Sequence, residues 1–248
     1  MISAVCTTTA SIPKGRRLTI LYPDLQDSVV ATAGVYAPQH DSHLLIEAMS
    51  VAAEVAGRRV LDLCTGSGVV AIAAAQIGAR TVTAFDICPH AVSCALNNAA
   101  TAGVTVDARV GSWTAAIEGG PYDLVVSNPP YLPTGPDAYR EQIPSAAGPA
   151  RAWDAGSDGR LILDPLCGSA PQLLADGGVM LIVQSEFADA TCSLRRLRHG
   201  GLHAEVVMTQ LIPFGPVLNA RAGWMESIGM LPAGRREEEL VVIRAVKR

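Results

Sequence analysis

The chain has 248 residues and a formal net charge of −4, with 49% hydrophobic and 17% charged residues. This balance predicts a folded core and excludes general disorder. The acidic charge also argues against a broadly basic surface, so we expect no stable binding of nucleic acid.

The sequence contains no run of about 20 apolar residues, so we expect no membrane span. Its first 17 residues have no continuous apolar stretch and no cleavage-like site, so a secretory signal is not expected. The six cysteines form no C-x-x-C pair and no zinc spacing with histidine, which predicts reduced thiols, no metal and a cytoplasmic location. They are Cys6, Cys64, Cys88, Cys94, Cys167 and Cys192.

Two regions follow from the pattern of apolar residues. Residues 1–40 have weak periodicity and predict an irregular N-terminal arm, with a short strand pair near Leu18–Tyr22. Residues 41–248 predict one α/β domain. Its first helix is expected to start with Asp41 or Ser42 as the cap and to end at Gly57.

Short apolar runs then alternate with helical stretches, which predicts a doubly wound, mostly parallel sheet of the Rossmann-like type. Because no helix is predicted between the last two strands, the last strand is expected to be antiparallel. Residues 131–158 and 212–236 are rich in Gly and Pro and are expected to be loops. The predicted strands are Val60–Leu63, Thr81–Phe85, Val104–Val110, Asp123–Ser127, Val179–Gln184, Leu202–Leu211 and Glu239–Val246. One predicted helix follows the glycine turn after the first strand and ends near Ile77, and the other predicted helices between strands span Ala91–Ala102, Leu161–Leu174 and Ala188–His199.

A glycine loop follows the first strand. The segment from Asp62 to Gly68 reads D-L-C-T-G-S-G, and Asp86 ends the second strand 20 residues after Gly66. The glycines permit a sharp turn and close approach of a ligand, and the acid suits hydrogen bonding to ribose hydroxyls. The loop also fits a dinucleotide pattern, but the D-x-x-x-G-x-G spacing resembles motif I of S-adenosylmethionine-dependent methyltransferases.

A second motif, Asn128-Pro129-Pro130-Tyr131, follows the fourth strand. Two prolines turn the chain away from the sheet at the edge where open α/β sheets bind ligands. The tetrapeptide resembles the N-P-P-Y signature of methyltransferases that act on a planar amide or amine nitrogen. The Asn128 side-chain oxygen and the Pro129 carbonyl could accept the two N–H bonds of such a group, and Tyr131 could pack on its face.

Together, four segments resemble the HemK/PrmC-like protein glutamine N5-methyltransferases, and most closely the short branch that lacks a helical N-terminal domain. They are residues 35–45 (VYAPQHDSHLL), residues 62–68, the tetrapeptide at 128–131, and residues 152–160 (AWDAGSDGR). The resemblance implies a class I methyltransferase fold with seven strands and an arm that closes over S-adenosyl-L-methionine. By resemblance, the cofactor-binding residues are Ser42, Asp62, Cys64, Gly66, Gly68, Asp86, Ser112, Trp113 and Asn128; the acceptor-binding residues are Asn128, Pro129, Pro130 and Tyr131, of which Asn128, Pro129 and Tyr131 are the catalytic ones.

Two positions depart from the family pattern. Cys64 stands where the family often has Gly, and Ser112 stands where it usually has an Asp that holds the adenine amino group. The Ser112 hydroxyl and the Trp113 backbone N–H could replace that contact.

The resemblance further implies a protein substrate, the Gly-Gly-Gln loop of a translation release factor, and in the eukaryotic branch a small zinc-protein activator subunit. Three alternatives stay open: methylation of an amino group on a nucleobase of RNA or DNA, methylation of a small-molecule nitrogen, and a non-catalytic partner subunit. A basic rim at Arg235 and Arg236 would favour the first alternative. The long segment Ile212–Arg236 is where substrate choice is expected to lie, and the charge run 235–239 is expected to be solvated.

Overall fold

The computed structural model describes residues 29–137 and 143–248. The strand pair predicted near Leu18–Tyr22 lies outside these residues. The helices are α1 (His40–Ala52), α2 (Val69–Gln76), α3 (Pro89–Thr101), α4 (Trp113–Gly119), α5 (Leu163–Leu173), α6 (Ala190–His199) and α7 (Pro216–Ser227), and the strands are β1 (Arg59–Leu63), β2 (Thr81–Asp86), β3 (Asp107–Val110), β4 (Tyr122–Ser127), β5 (Leu174–Ser185), β6 (Leu202–Pro213) and β7 (Glu237–Lys247). None of the helices in this described part of the chain is long and apolar enough to cross a membrane.

The seven strands form one sheet in the order β3-β2-β1-β4-β5-β7-β6. Strands β1 to β5 are parallel to one another, and β7 is antiparallel to both of its neighbours. The predicted fold class is therefore confirmed. The strand order reverses between β1 and β4, so the loops after these two strands diverge and leave a crevice at their carboxyl ends.

The sheet is covered on both faces because its central strands are apolar throughout. In β1 and β4, Val60, Leu61, Val125 and Val126 are all fully buried. This rigid centre carries the two loops that hold the predicted motifs.

Two helices were not predicted. α4 begins after Ser112, whose side chain accepts a hydrogen bond from the Thr114 N–H at 3.3 Å. α7 lies within the segment that was expected to be a loop, and it starts with Pro216 at its first turn after Gly215. Proline there is a start signal for a helix. The Gly- and Pro-rich flanks concealed the signal, and Arg221 interrupts the apolar face that periodicity would otherwise show.

Three further expectations were wrong. The helix α1 ends at Ala52 rather than at Gly57, because Ala53 already has an extended backbone. Gln39 occupies the N-cap position of α1, so neither Asp41 nor Ser42 caps the helix. The acidic run that was expected to be solvated belongs instead to β7, in which Glu238 has an exposed fraction of 6%. Alternation along a strand explains the burial, because every second side chain of the run faces the interior.

Candidate active site

A cleft opens at the carboxyl ends of β1, β2 and β4, between the glycine loop and residues 34–38 of the arm. Asp86 shapes its floor. One carboxylate oxygen accepts the Gly66 N–H at 3.0 Å and the other accepts the Cys88 N–H at 2.9 Å. These bonds fix the carboxylate at the end of β2 and leave lone pairs available on both oxygens.

Asp62 lies below the glycine loop, and only 2% of it is exposed. Its carboxylate accepts a hydrogen bond from the Thr65 hydroxyl at 2.6 Å. Burial, with a smaller contribution from the nearby charge of Asp86, raises the pKa of Asp62 to about 7, although the hydrogen bond from Thr65 opposes the shift. A positively charged group in the cleft would reverse this shift, because it would stabilise the carboxylate.

The backbone at Cys64 has a conformation that favours glycine, the residue expected there from the family resemblance. Its φ angle is +62°, in the left-handed region. This conformation costs a residue with a Cβ roughly 1–2 kcal/mol. Burial raises the pKa of the Cys64 thiol to about 12, so the side chain is a neutral wall of the cleft.

The two glycines of the loop have different tasks. Gly66 lines the cleft, and a Cβ built on it would meet no atom within 4 Å. Gly68 is not among the residues that line the cleft. A Cβ on Gly68 would lie 2.9 Å from the Ala95 Cβ and 3.0 Å from its Cα. Gly68 therefore allows α2 and α3 to approach closely, whereas Gly66 keeps the cleft open.

The far end of the cleft is lined by Ile87, Ser112 and Trp113. Ile87 follows Asp86 directly and is 65% exposed, so it offers an apolar surface beside the carboxylate. Residues 34–38 line the opposite side, where Arg151 donates a hydrogen bond to the Gly34 carbonyl at 2.9 Å.

Asn128 stands where the cleft meets a second, smaller pocket lined by Pro129 and Tyr131. The Asn128 side-chain nitrogen donates a hydrogen bond to the Ser42 hydroxyl oxygen at 3.2 Å. The Ser42 hydroxyl in turn points its own donor at an Asp41 carboxylate oxygen, 3.4 Å away. This chain of donors fixes the orientation of the amide and leaves its oxygen free to accept.

Asp41 is the organising residue that sequence reasoning missed, since it was considered only as a helix cap. It is 5% exposed and accepts the Ser42 backbone N–H at 2.7 Å. The hydroxyls of Tyr131 and Tyr36 also donate to it, at 3.0 and 3.3 Å. Burial, followed by the Asp41 charge, raises the pKa of both phenols, so both remain protonated donors. The Tyr131 hydroxyl is thus committed to structure, and its ring remains in the pocket wall.

The segment after the tetrapeptide is braced by residues 152–160. The Leu132 N–H donates to the Trp153 carbonyl at 2.9 Å, and the Ala155 N–H donates back to the Leu132 carbonyl at 3.0 Å. Gly159 lies so close to the Tyr131 carbonyl oxygen that a Cβ at this position would overlap it. The tetrapeptide and residues 152–160 therefore form one structural unit.

Helix α7 completes this unit through Arg221, which is 2% exposed. The guanidinium donates to the Pro133 carbonyl at 2.6 Å and pairs with the Asp154 carboxylate. It also lies over the Trp153 ring, 4.7 Å from the centroid. The segment expected to govern substrate choice therefore contains a helix that is anchored behind the smaller pocket.

The strand order, the glycine loop and the tetrapeptide at the switch point define a class I methyltransferase. A family model described as the methyltransferase small domain matches residues 27–143. The structure of the E. cuniculi Mtq2–Trm112 complex, described as responsible for methylation of the eRF1 translation termination factor, superposes with a TM-score of 0.57 at 19% identity, covering 87% of this chain and 99% of that one. This structural likeness shows the fold.

Relatives in sequence identify the family within this class of methyltransferases. A Methanocaldococcus jannaschii protein whose name places it among the protein N5-glutamine methyltransferases is 34% identical over 180 residues, which are 73% of this chain and 87% of that protein. The release factor glutamine methyltransferase of Rhodospirillum rubrum is 43% identical over 152 residues, which are 58% of this chain. The match spans 45% of that longer protein. The chain belongs to the HemK-like family of protein N5-glutamine methyltransferases.

Proposed function

We propose that the protein transfers a methyl group from S-adenosylmethionine to the side-chain amide nitrogen of a glutamine in a protein. The observation that carries the proposal is the placement of Asn128. It follows β4 directly, at the junction of the cleft and the smaller pocket. Ser42 accepts a hydrogen bond from its amide nitrogen, and among the described residues no hydrogen bond occupies its amide oxygen.

The cleft residues fit the cofactor. S-adenosylmethionine would supply an electrophilic methyl group on a positively charged sulfur. The buried carboxylate of Asp62 suits its methionine part, and the free lone pairs of Asp86 suit the two ribose hydroxyls. Ser112 and Trp113 lie at the end of the cleft proposed for adenine, where the exposed Ile87 adds an apolar face. A contribution of Gly68 would be indirect, through packing.

The acceptor chemistry follows from the tetrapeptide. A carboxamide nitrogen is a weak nucleophile because its lone pair is delocalised into the carbonyl group. Two acceptors, the Asn128 side-chain oxygen and the Pro129 carbonyl, would hold both N–H groups and direct the nitrogen at the methyl group. Pro130 stiffens this turn. The Tyr131 ring, fixed through its hydroxyl, would form a flat wall for the planar amide.

The alternatives are less well supported by the described residues. A nucleobase acceptor would be favoured by a basic rim, but Arg235 pairs with Glu186 at 2.5 Å and Arg236 pairs with Glu226 at 2.6 Å. A small-molecule acceptor would be favoured by a pocket that the segment 212–236 encloses. Helix α7 of this segment packs instead on Pro133 and Asp154, and the segment supplies only part of the wall of a cavity of about 70 Å³. A non-catalytic subunit would not need the oriented amide of Asn128.

We further propose a translation release factor as the protein substrate, and an arm at residues 1–40 that closes the domain at 41–248. The contact from Arg151 to the Gly34 carbonyl supports the role of the arm. A cytoplasmic location is part of this proposal, since the described cysteines are all free thiols. A small activator subunit stays an expectation from the family resemblance.

The test is transfer of labelled methyl groups to a release factor and to a blocked peptide that contains Gly-Gly-Gln, with the modified atom located by mass spectrometry. Asn128→Ala should lower kcat by at least about 100-fold, because it removes one of two acceptors that act in the transition state. Its Kd for the cofactor should change far less. Full activity of Asn128→Ala, or label in RNA or a small molecule, would overturn the acceptor assignment.

Ser42→Ala tests how Asn128 is positioned. Loss of the hydrogen bond at 3.2 Å lets the amide turn its nitrogen toward the acceptor, and one such bond is worth about 1 kcal/mol. We expect kcat to fall about five- to tenfold while KM for the peptide changes little. Ser42→Thr keeps the hydroxyl and should restore most of kcat. Equal activity in Ser42→Ala and wild type would show that Asn128 is held by other contacts.

A further inference from the structure

The smaller pocket at Asn128, Pro129 and Tyr131 is called the acceptor pocket below, because the methylated amide is proposed to bind there. A third cavity, of about 70 Å³, adjoins it, and neither the proposed cofactor nor the amide would fill this cavity. It opens between α1, the start of α7 and the start of β7. Five residues line both this cavity and the acceptor pocket, so the two adjoin. The shared residues are Tyr36, Asp41, Tyr131, Leu132 and Trp153.

Two buried polar atoms belong to residues that line this cavity. They are the Nε1 of Trp153 and the Oε2 of Glu238, and neither has a hydrogen-bond partner among the described residues. The exposed fractions of the two residues are 5% and 6%. A buried donor or acceptor without a partner costs about 1–3 kcal/mol, so a pair of them at one cavity indicates that something else satisfies both.

The pair has the chemistry of a receptor for a peptide group. Trp153 can donate to a carbonyl oxygen, and Glu238 can accept from an N–H. The remaining walls include the apolar Leu132, Ile212 and Val217 and the polar Gln39, His40 and Asp41, and the Asp41 carboxylate is already engaged by the hydroxyls of Tyr36 and Tyr131. A volume of about 70 Å³ would admit main chain with small side chains.

We propose that this cavity is a binding subsite for the substrate main chain next to the methylated glutamine, with Trp153 and Glu238 holding one peptide group. This inference rests on the proposed function. It places sequence selection in contacts to main chain at small residues, rather than in contacts to charged side chains. Glu238, which was expected to lie in a solvated run, thereby acquires a role in substrate binding.

The geometry of the surroundings supports such a subsite. Arg221 fixes the Trp153 ring from behind, and β7 fixes Glu238 beside Asp41. Both side chains therefore sit on ordered elements, which preorganises the pair for binding. Burial raises the pKa of Glu238 to about 7, with further contributions from Asp41 and Glu186. An N–H donated by the substrate would stabilise its carboxylate form.

The experiment compares wild type with Glu238→Gln, Trp153→Phe and the control Trp224→Phe. The probe is a blocked heptapeptide with Gly-Gly-Gln at its centre. Trp153→Phe keeps the ring over Arg221 and removes the N–H. We expect Trp153→Phe and Glu238→Gln each to raise KM for the peptide about tenfold, the effect of one lost hydrogen bond to a buried partner, with kcat and the cofactor Kd close to wild type. Trp224 does not line the cavity, so its variant should leave KM unchanged.

A second set of probes identifies the contact itself. Each of two peptides carries an ester in place of the amide on one side of the glutamine, which removes one N–H. At one of the two positions the ester should raise KM about tenfold in wild type and have no further effect in Glu238→Gln. If the ester and the variant raise KM independently at both positions, so that the combined increase is the product of the two, the proposal is wrong. Unchanged KM in both variants would also overturn it and would indicate that the cavity holds water alone. Failure of wild type to methylate the unmodified peptide would instead refute the proposed function, and it is read on the wild-type protein alone.

Discussion

Replacement of Glu238 by Gln should stabilise the protein relative to wild type in alkaline solution and leave its stability close to that of wild type in acidic solution. The carboxyl group is buried in β7, and burial raises its pKa from 4.5 to about 7. This value includes smaller raising contributions from Asp41 and Glu186, which a hydrogen bond from Ser185 and the charge of Arg235 oppose. The folded protein therefore holds this proton more tightly than the unfolded chain does.

The size and sign of the effect follow from this difference. Wild type has the full stabilisation below about pH 4.5 and loses it as the pH rises through about 7, because the charged form is then buried. A difference of about 2.5 pKa units corresponds to about 3 kcal/mol. Glutamine resembles the protonated acid and cannot ionise. The Glu238→Gln variant should match wild type within about 1 kcal/mol near pH 5 and exceed it by about 2–3 kcal/mol near pH 8.

Urea unfolding of both proteins at the two pH values measures the difference. Asp62 titrates in the same range, since its pKa is also about 7, but it is present in both proteins and cancels. The same difference in unfolding free energy at both pH values would refute the reasoning, and so would a variant that is less stable near pH 8. A variant that gains stability while losing affinity for the peptide would show that Glu238 is retained for binding.

Two further predictions concern stability. Gly66→Ala should lower the free energy of unfolding by about 1–2 kcal/mol, for the left-handed backbone alone. Gly68→Ala should lower it by about 1–3 kcal/mol more, because its Cβ would press on Ala95. Equal midpoints of urea unfolding for the two variants would contradict the steric account. Arg221→Met should cost about 3–5 kcal/mol, because it removes the buried guanidinium that pairs with the Asp154 carboxylate and binds the Pro133 carbonyl. Thermal unfolding beside an Arg221→Lys control should show the larger loss in Arg221→Met, and a loss below about 1 kcal/mol would contradict this account.

Much of the fold could be predicted from local patterns. The central strands are continuous apolar runs, and continuous runs require burial on both faces, so the parallel sheet followed directly. The helix α7 could not be found this way. Its identity depends on Arg221, whose burial is stable only with the Asp154 carboxylate and the Pro133 carbonyl opposite it. A pattern of apolar residues has no means of showing that a charged residue faces inward.

The sequence by itself determined the family, the glycine loop and the tetrapeptide, because each is a contiguous string whose residues must be adjacent to make a turn or to present two acceptors. The tertiary structure decided how those strings are held. Asp41 accepts a hydrogen bond from Tyr131, which lies 90 residues further along the chain. Glu238 is brought to the cavity that Trp153 also lines by a strand inserted antiparallel between two others. Contacts of this kind depend on which elements pack together, and burial then decides whether a carboxylate is a solvated surface charge or a buried acceptor.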